Sequence, residues 1–392
     1  MEQPKYLAVE SIRGFACFMV VLSHLSLIFF PYLHSFGGKT DPAINPFQSF
    51  IHESPLGFFY SGTSAVFIFF VLSGYILTKV AIKNNNSKKI ISMTIKRYPR
   101  LMVPALASCI LAYFAFQLFE LPSALLPDYG DFSSSLIGAI YSGVIDVFFL
   151  SGQSLYNPVL WTMKIELIGS FIIFFLCFNK IKIKLPYLST LFIITTPLLV
   201  VFKIINPDLG LGIFSFVIGY LFCIYGRMIN KKLSFTLFFI GLYLAGAHNE
   251  SLSYLPIISI LGNMTYKLCN FASGFFIVYA IIFNKEFNTL LSGNLGVFMG
   301  KVSFSVYLIH MPILATLGVF TFNIFFDYFN QYVVAAILSS IVSILSTYTA
   351  SLLFYKAVDL QGVKFSNFIG NSVTPITLKL SKLIKNRITA KI

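Results

Sequence analysis

Residues 6–30 read YLAVESIRGFACFMVVLSHLSLIFF, and the reading of this stretch decides the fold. It is apolar and long enough to cross a bilayer as a helix, for which about 20 residues suffice. Yet Glu10, Arg13 and His24 lie inside it. A charged side chain in hydrocarbon costs at least about 2.5 kcal/mol, so such groups face a protein interior or a watery cavity. Arg13 and His24 stand eleven residues apart. Eleven helical steps of about 100° return to nearly the same azimuth, about 16 Å further along the axis. Glu10 sits one turn before Arg13 and can pair with it. The result is a polar stripe ending in the one side chain that titrates near neutrality. Two readings stay open: a snorkelling Glu10–Arg13 pair with a hydrogen-bonded interior imidazole, or His24 as a general base facing a cavity.

The rest of the chain repeats this apolar character. Its 392 residues are 57% hydrophobic and only 11% charged, against about 25% charged in soluble domains. This composition excludes a soluble enzyme and makes the protein polytopic. The net charge of +14 falls in clusters between apolar spans. The positive-inside rule accounts for that pattern, so no nucleic-acid partner is expected. Cys17, Cys109, Cys177, Cys223 and Cys269 fall in or beside apolar spans with no close pairing. They read as packing residues, with neither a disulfide framework nor a metal site. A cleaved signal peptide is not expected, because the first run is too long and contains Arg13.

Topology follows from the basic clusters. A loop at about 31–57 holds His34, Lys39, Asp41, His52 and Glu53, and a second span covers about 62–80. The dense run Lys83, Lys88, Lys89, Lys96, Arg97, Arg100 then marks the cytoplasmic side. A third span, about 101–119, leads to an acidic loop with Glu120, Asp128 and Asp131. Residues 133–150 are apolar but carry Asp146. If they crossed, Lys180, Lys182 and Lys184 after the span 160–178 would lie outside. They are therefore expected to form a re-entrant or surface segment. Spans at about 187–205, 209–228, 233–248, 256–283, 302–321 and 332–356 complete an all-α integral membrane protein. It has about ten transmembrane helices and both termini cytoplasmic. Residues 1–360 form the membrane domain, and 361–392 a basic tail expected on the anionic inner leaflet.

Four further local constellations could carry chemistry. Ser73 and Gly74 end the aromatic run VFIFFVLSGYILT (66–78), and small residues there first suggest close helix packing. Lys96, Arg97 and Arg100 surround Pro99. They could be topogenic charge, or guanidinium groups that grip phosphate. Trp161 and Glu166 open the next crossing with Lys164 between them. The lone tryptophan suits interfacial anchoring, whereas a carboxylate inside a span needs a partner, such as Arg13, His24 or an acceptor hydroxyl. In SFSVYLIHMP (303–312), Tyr307 and His310 share a face, and Pro312 frees a backbone carbonyl.

Together these stretches resemble the membrane-bound acyltransferase family 3, through its opening Arg with a His eleven residues on, its aromatic Ser-Gly helix, its Arg-x-x-Arg, its Trp-Ser/Thr-x-x-x-Glu and its late Ser-x-Ser-x-Tyr-Leu-x-His-x-Pro. Lys164 is similar to the saccharide O-acetylase branch. The end departs: Val358-Asp359-Leu360-Gln361 stands where Val-Glu-x-Pro is common. The resemblance implies an acetyl-CoA-dependent (or other acyl-CoA-dependent) O-acetyltransferase of the bacterial inner membrane. It would act on a cell-envelope saccharide or lipid-linked saccharide such as lipopolysaccharide or another polysaccharide, without a metal and with room for a homo-oligomer. On this reading His24 is the base, Arg13 and Glu10 steady the donor, and Glu166 belongs to the catalytic group. Arg97, Arg100 and Lys96 hold coenzyme A, and Trp161, Tyr307, His310 and Ser73 bind substrate. The rival is a transporter or flippase, which also carries interior charge and broken helices. It would show inverted hydropathy repeats, and none is found.

Overall fold

The computed structural model describes residues 4–34, 46–83, 85–119, 135–185, 187–248 and 250–389. Lys39, Asp41, Glu120, Asp128 and Asp131 lie outside these ranges, as do residues 133–134. Every regular element described is helical. The first is α1 (Pro4–Phe29). After a short α2 (Pro46–Glu53) come α3 (Gly62–Ile82) and α4 (Ser87–Leu118). The helices α5 (Leu136–Tyr141) and α6 (Val147–Phe149) are joined by a π-turn and precede α7 (Trp161–Phe178). Then follow α8 (Leu188–Val201), α9 (Pro207–Tyr225) and α10 (Lys231–Ala245). The last third holds α11 (Leu255–Leu261), α12 (Thr265–Ile282), α13 (Lys285–Leu290), α14 (Asn294–Ile313) and α15 (Val319–Phe329). It closes with α16 (Tyr332–Phe354) and α17 (Leu360–Thr389).

Among the described residues, eight segments are long and apolar enough to span a membrane. The helices α8 and α10, of 14 and 15 residues, reach only about 21–23 Å at 1.5 Å per residue. They still return the chain between long neighbours. Lys267 near the start of α12 pairs with Asp208 at the start of α9, at 2.9 Å. At the other end the Phe283 carbonyl accepts from the Ile229 amide, at 2.8 Å. The helices α9 and α12 therefore run parallel, with α10 returning between them. With these two short returns the described residues run along the bundle ten times, eight of the runs long enough to span.

The segment 136–149 does not cross. It lies along α4, where Gly143 presses on the Leu106 backbone and the Tyr98 hydroxyl donates to the Val144 carbonyl at 2.7 Å. Its two ends meet, because the Tyr156 hydroxyl donates to the Ser135 carbonyl and accepts from the Ser135 amide (2.8 and 3.0 Å). Asp146 accepts from the Ser151 amide at the turn. The re-entrant reading is thus the observed one.

Glycines set the closest helix contacts. A Cβ on Gly300 of α14 would strike the Glu10 backbone, and one on Gly14 would meet Met299 and Gly300. This brings α14 against the polar stripe of α1. Gly74 and Gly219 bring α3 and α9 to backbone contact in the same way.

Two boundaries differ from expectation. The helix α4 begins at Ser87, not near Leu101, because it absorbs Pro99 and Pro104 without ending. Arg97 and Arg100 therefore lie within a helix rather than on a surface loop. The other boundary is at the C-terminal end, where the first part of the basic tail is a helix packed on α4. The helix α17 follows α16 through a π-turn at Tyr355–Asp359, and Gly362, Ser366 and Gly370 form its buried stripe. Gly362 packs on Val103 and Pro104, and Gly370 packs on the Lys96 methylenes.

Candidate active site

A cavity of about 1080 Å³ opens among α1, α3, α4, α7, α14 and the α16–α17 junction. Its polar wall is a set of ion pairs. Arg13 Nη1 lies 3.2 Å from Glu10 Oε1, one turn away on α1. Arg97 Nη2 donates to Glu166 Oε2 at 2.5 Å, its Nε donates to Ser170 Oγ at 2.7 Å, and Ser73 Oγ donates to Glu166 Oε1 at 2.9 Å. Arg100 Nη1 meets Asp359 Oδ1 at 2.5 Å, with that carboxylate 6% exposed. Lys83 and Lys301 complete the charged lining.

This geometry answers the question about Glu166. Its partner is Arg97 on α4, not Arg13 or His24. Ser73 serves the same carboxylate, and Gly74 beside it makes the close packing expected of a Ser-Gly pair. Arg97 and Arg100 each face a carboxylate, so neither is an uncommitted phosphate clamp. Lys96 is absent from the cavity lining among the described residues and lies against α17. Trp161 packs, partly buried, against an apolar cluster containing Val66, Phe70 and Phe216.

Tyr307 and Thr162 also line the cavity; the Tyr307 hydroxyl donates to the Val159 carbonyl at 2.8 Å and lies 3.0 Å from Thr162 Oγ1. One turn further, His310 is fully buried. Its Nδ1 faces the carbonyls of Val306 and Tyr307 at 3.1 and 2.8 Å, which assigns the proton to that nitrogen. His310 Nε2, left as acceptor, lies 3.1 Å from His24 Nδ1. His24 Nδ1 also faces the Val20 carbonyl at 3.0 Å, so it too carries the proton. The lone pair of His24 is thereby placed on Nε2. His24 is partly exposed, but neither imidazole lines the cavity, contrary to the expectation that His24 faces it. Tyr307 lies between the two levels.

Pro312 does free a carbonyl. Leu308, four residues earlier, accepts from Asn157 Nδ2 at 2.7 Å instead. That bond ties the loop before α7 to the histidine-bearing helix. Asn157 and Lys301 went unnoticed in the sequence, where a single polar residue near a span end carries no distinguishing signal, and Lys83 reads there only as topogenic charge.

All five histidines of the chain gather at this end of the bundle. His34 Nε2 lies 2.7 Å from Ser26 Oγ, and the rings of His52 and His248 are 4.3 Å apart. Burial, then the neighbouring imidazoles, pushes His34 down to about 4. Burial likewise pushes His248 down to about 4. Below about pH 6.5 the unfolded chain binds protons that the folded cluster refuses, so stability falls with pH. Thermal unfolding in detergent should show a midpoint that drops as pH falls from about 6.5 to about 4. In the His34→Gln, His248→Gln variant that slope should flatten. An unchanged slope would remove these rings as its cause.

The fold and site together define a helical membrane protein with a charged inner cavity and an imidazole pair beyond it. The acyltransferase domain family, the membrane-bound acyltransferase family 3, matches residues 6–355, and the chain belongs to it. No curated protein and no solved structure matches the chain. Family membership makes the protein a multi-pass membrane acyltransferase, and it speaks against the transporter alternative.

Proposed function

We propose that the protein carries an acyl group, acetyl foremost, from cytoplasmic acyl-CoA to a hydroxyl of a saccharide or lipid-linked saccharide of a bacterial cell envelope. The observation that supports this best is the two-level arrangement. A cavity with excess positive charge lies at the end marked cytoplasmic by its lysines, and the histidine pair lies beyond Tyr307. A charged, phosphate-bearing donor suits the first level and a neutral hydroxyl suits the second.

In the reaction, the acceptor hydroxyl gives its proton to His24 Nε2 as its oxygen attacks the thioester carbonyl. The C–S bond breaks, and the departing thiolate takes the proton back from the imidazolium. His310 holds His24 in the tautomer that leaves Nε2 free, the role a carboxylate plays in hydrolase triads. Thr162 and Tyr307 line the cavity, and in the reaction one of their hydroxyls turns from the Val159 carbonyl to the developing oxyanion. Arg13, about 16 Å from His24 by helical rise, acts on the donor rather than on the reacting carbonyl. Arg100, paired with Asp359, mainly braces the wall. Glu10, Asp359 and the Arg97–Glu166 pair hold the wall in place.

The test is label transfer. Membranes containing the protein, supplied with acetyl-labelled acetyl-CoA and envelope saccharides, should yield labelled saccharide whose ester is released by mild base. Mass spectrometry then identifies the acceptor. Label that never leaves the thioester, or that appears in amide linkage, would overturn the reading.

A further inference from the structure

The cavity wall holds five cations, Arg13, Lys83, Arg97, Arg100 and Lys301, and three carboxylates, Glu10, Glu166 and Asp359. Each carboxylate is matched to one arginine. The two positive charges left over belong to Lys83 and Lys301, which have no carboxylate within ion-pair distance among the described residues. Both are exposed, Lys83 just past the end of α3 and Lys301 two turns into α14. Lys301 Nζ sits 5.6 Å from the centroid of the Tyr355 ring, beside Asp359 and its arginine. Both line the same cavity, one following α3 and the other on α14.

From this charge pattern we infer that Lys83 and Lys301 hold the phosphate groups of the acyl donor, while Arg97 and Arg100 mainly brace the wall. This inference rests on the acyl-CoA reading and names the residues that read the nucleotide end. A buried guanidinium already bound to a carboxylate must break that bond to take a phosphate. An ammonium in water loses little on meeting a phosphate and releases it readily, as turnover requires. A donor with a pyrophosphate and a further phosphate matches two uncompensated cations. A singly charged or neutral donor leaves them idle. A phospholipid headgroup offers the same phosphate chemistry, and the choice of probes separates the two.

The experiment compares acetyl-CoA with S-acetylpantetheine, which keeps the thioester arm and lacks every phosphate, on the full chain in detergent. The wild type should have a KM for acetyl-CoA about a hundredfold below that for S-acetylpantetheine, about tenfold for each lysine. In Lys83→Ala, Lys301→Ala that ratio should collapse toward one, and the Lys83→Arg, Lys301→Arg protein should recover most of it. Calorimetric titration with free coenzyme A should show the same order without relying on turnover. A double alanine variant that keeps both the ratio and coenzyme A affinity would overturn the lysine assignment. It would leave a lipid phosphate as their partner, to be read from phospholipid retained by wild type and lost by the variant. A wild type that turns over neither thioester, and does not bind coenzyme A, would instead sink the acyl-CoA reading itself.

Discussion

Replacing His24 with Ala is expected to lower acyl transfer by about 10²–10⁴-fold, the range a positioned general base supplies, with the protein still folded in detergent. The reason lies in the tautomers. His310 donates from Nδ1 to the Val306 and Tyr307 carbonyls and accepts at Nε2 from His24. His24 is thereby held with its proton on Nδ1 and its lone pair on Nε2. The Tyr307 ring, which lines the cavity, lies 6.0 Å from the His310 ring between centroids. His310→Ala removes only the partner, so its signature differs. Turnover should fall less, and the pH dependence of kcat/KM should move because His24 no longer has a fixed tautomer. His310→Gln can still accept from Nδ1 through its amide oxygen and should recover part of the rate. Unchanged transfer in His24→Ala would remove the imidazole from the chemistry. A pH profile indifferent to His310 would reduce that residue to packing.

The second large effect concerns stability. Arg97→Ala should destabilise the protein by about 3–5 kcal/mol, because it strands the Glu166 carboxylate in the wall without its counter-charge. The pair is close to buried, with side chains 17% and 13% exposed, and further bonds from Ser73 and to Ser170 lock it. Glu166→Ala should cost a similar amount. Arg97→Met with Glu166→Leu should restore much of the loss, since a buried pair is expensive to break and cheap to delete. If Arg97 only gripped a phosphate, Arg97→Ala would raise the donor's KM and leave the thermal midpoint where it was. Thermal unfolding of the four proteins, read with their donor KM values, separates these outcomes.

Much of this molecule is visible before any coordinates. The re-entrant stretch follows from lysine placement, because a crossing at 133–150 would put Lys180, Lys182 and Lys184 on the wrong side. The closed Ser135–Tyr156 contact bears that reading out. Arg13 with Glu10 is a one-turn pair that helix geometry predicts and the structure contains. The extent of α4 was harder to read, since the basic residues up to Arg100 mark a membrane surface yet the helix starts at Ser87 and carries them within it. That single misreading carried Arg97 and Arg100 to the surface, where phosphate was the natural partner.

Hydropathy, charge bias and the spacing of a few motif residues were enough to determine the all-helical membrane architecture, the alternation of its spans and the family. Each depends only on residues near one another along the chain and on the bilayer's thickness and charge. The pairing of Arg97 with Glu166, of Arg100 with Asp359 and of His24 with His310 was decided by tertiary structure alone. Helical periodicity places a side chain on a face of its own helix. Which neighbour that face meets depends on rotations and depths set by glycine contacts between helices, such as Gly300 on Glu10 and Gly74 on Phe216.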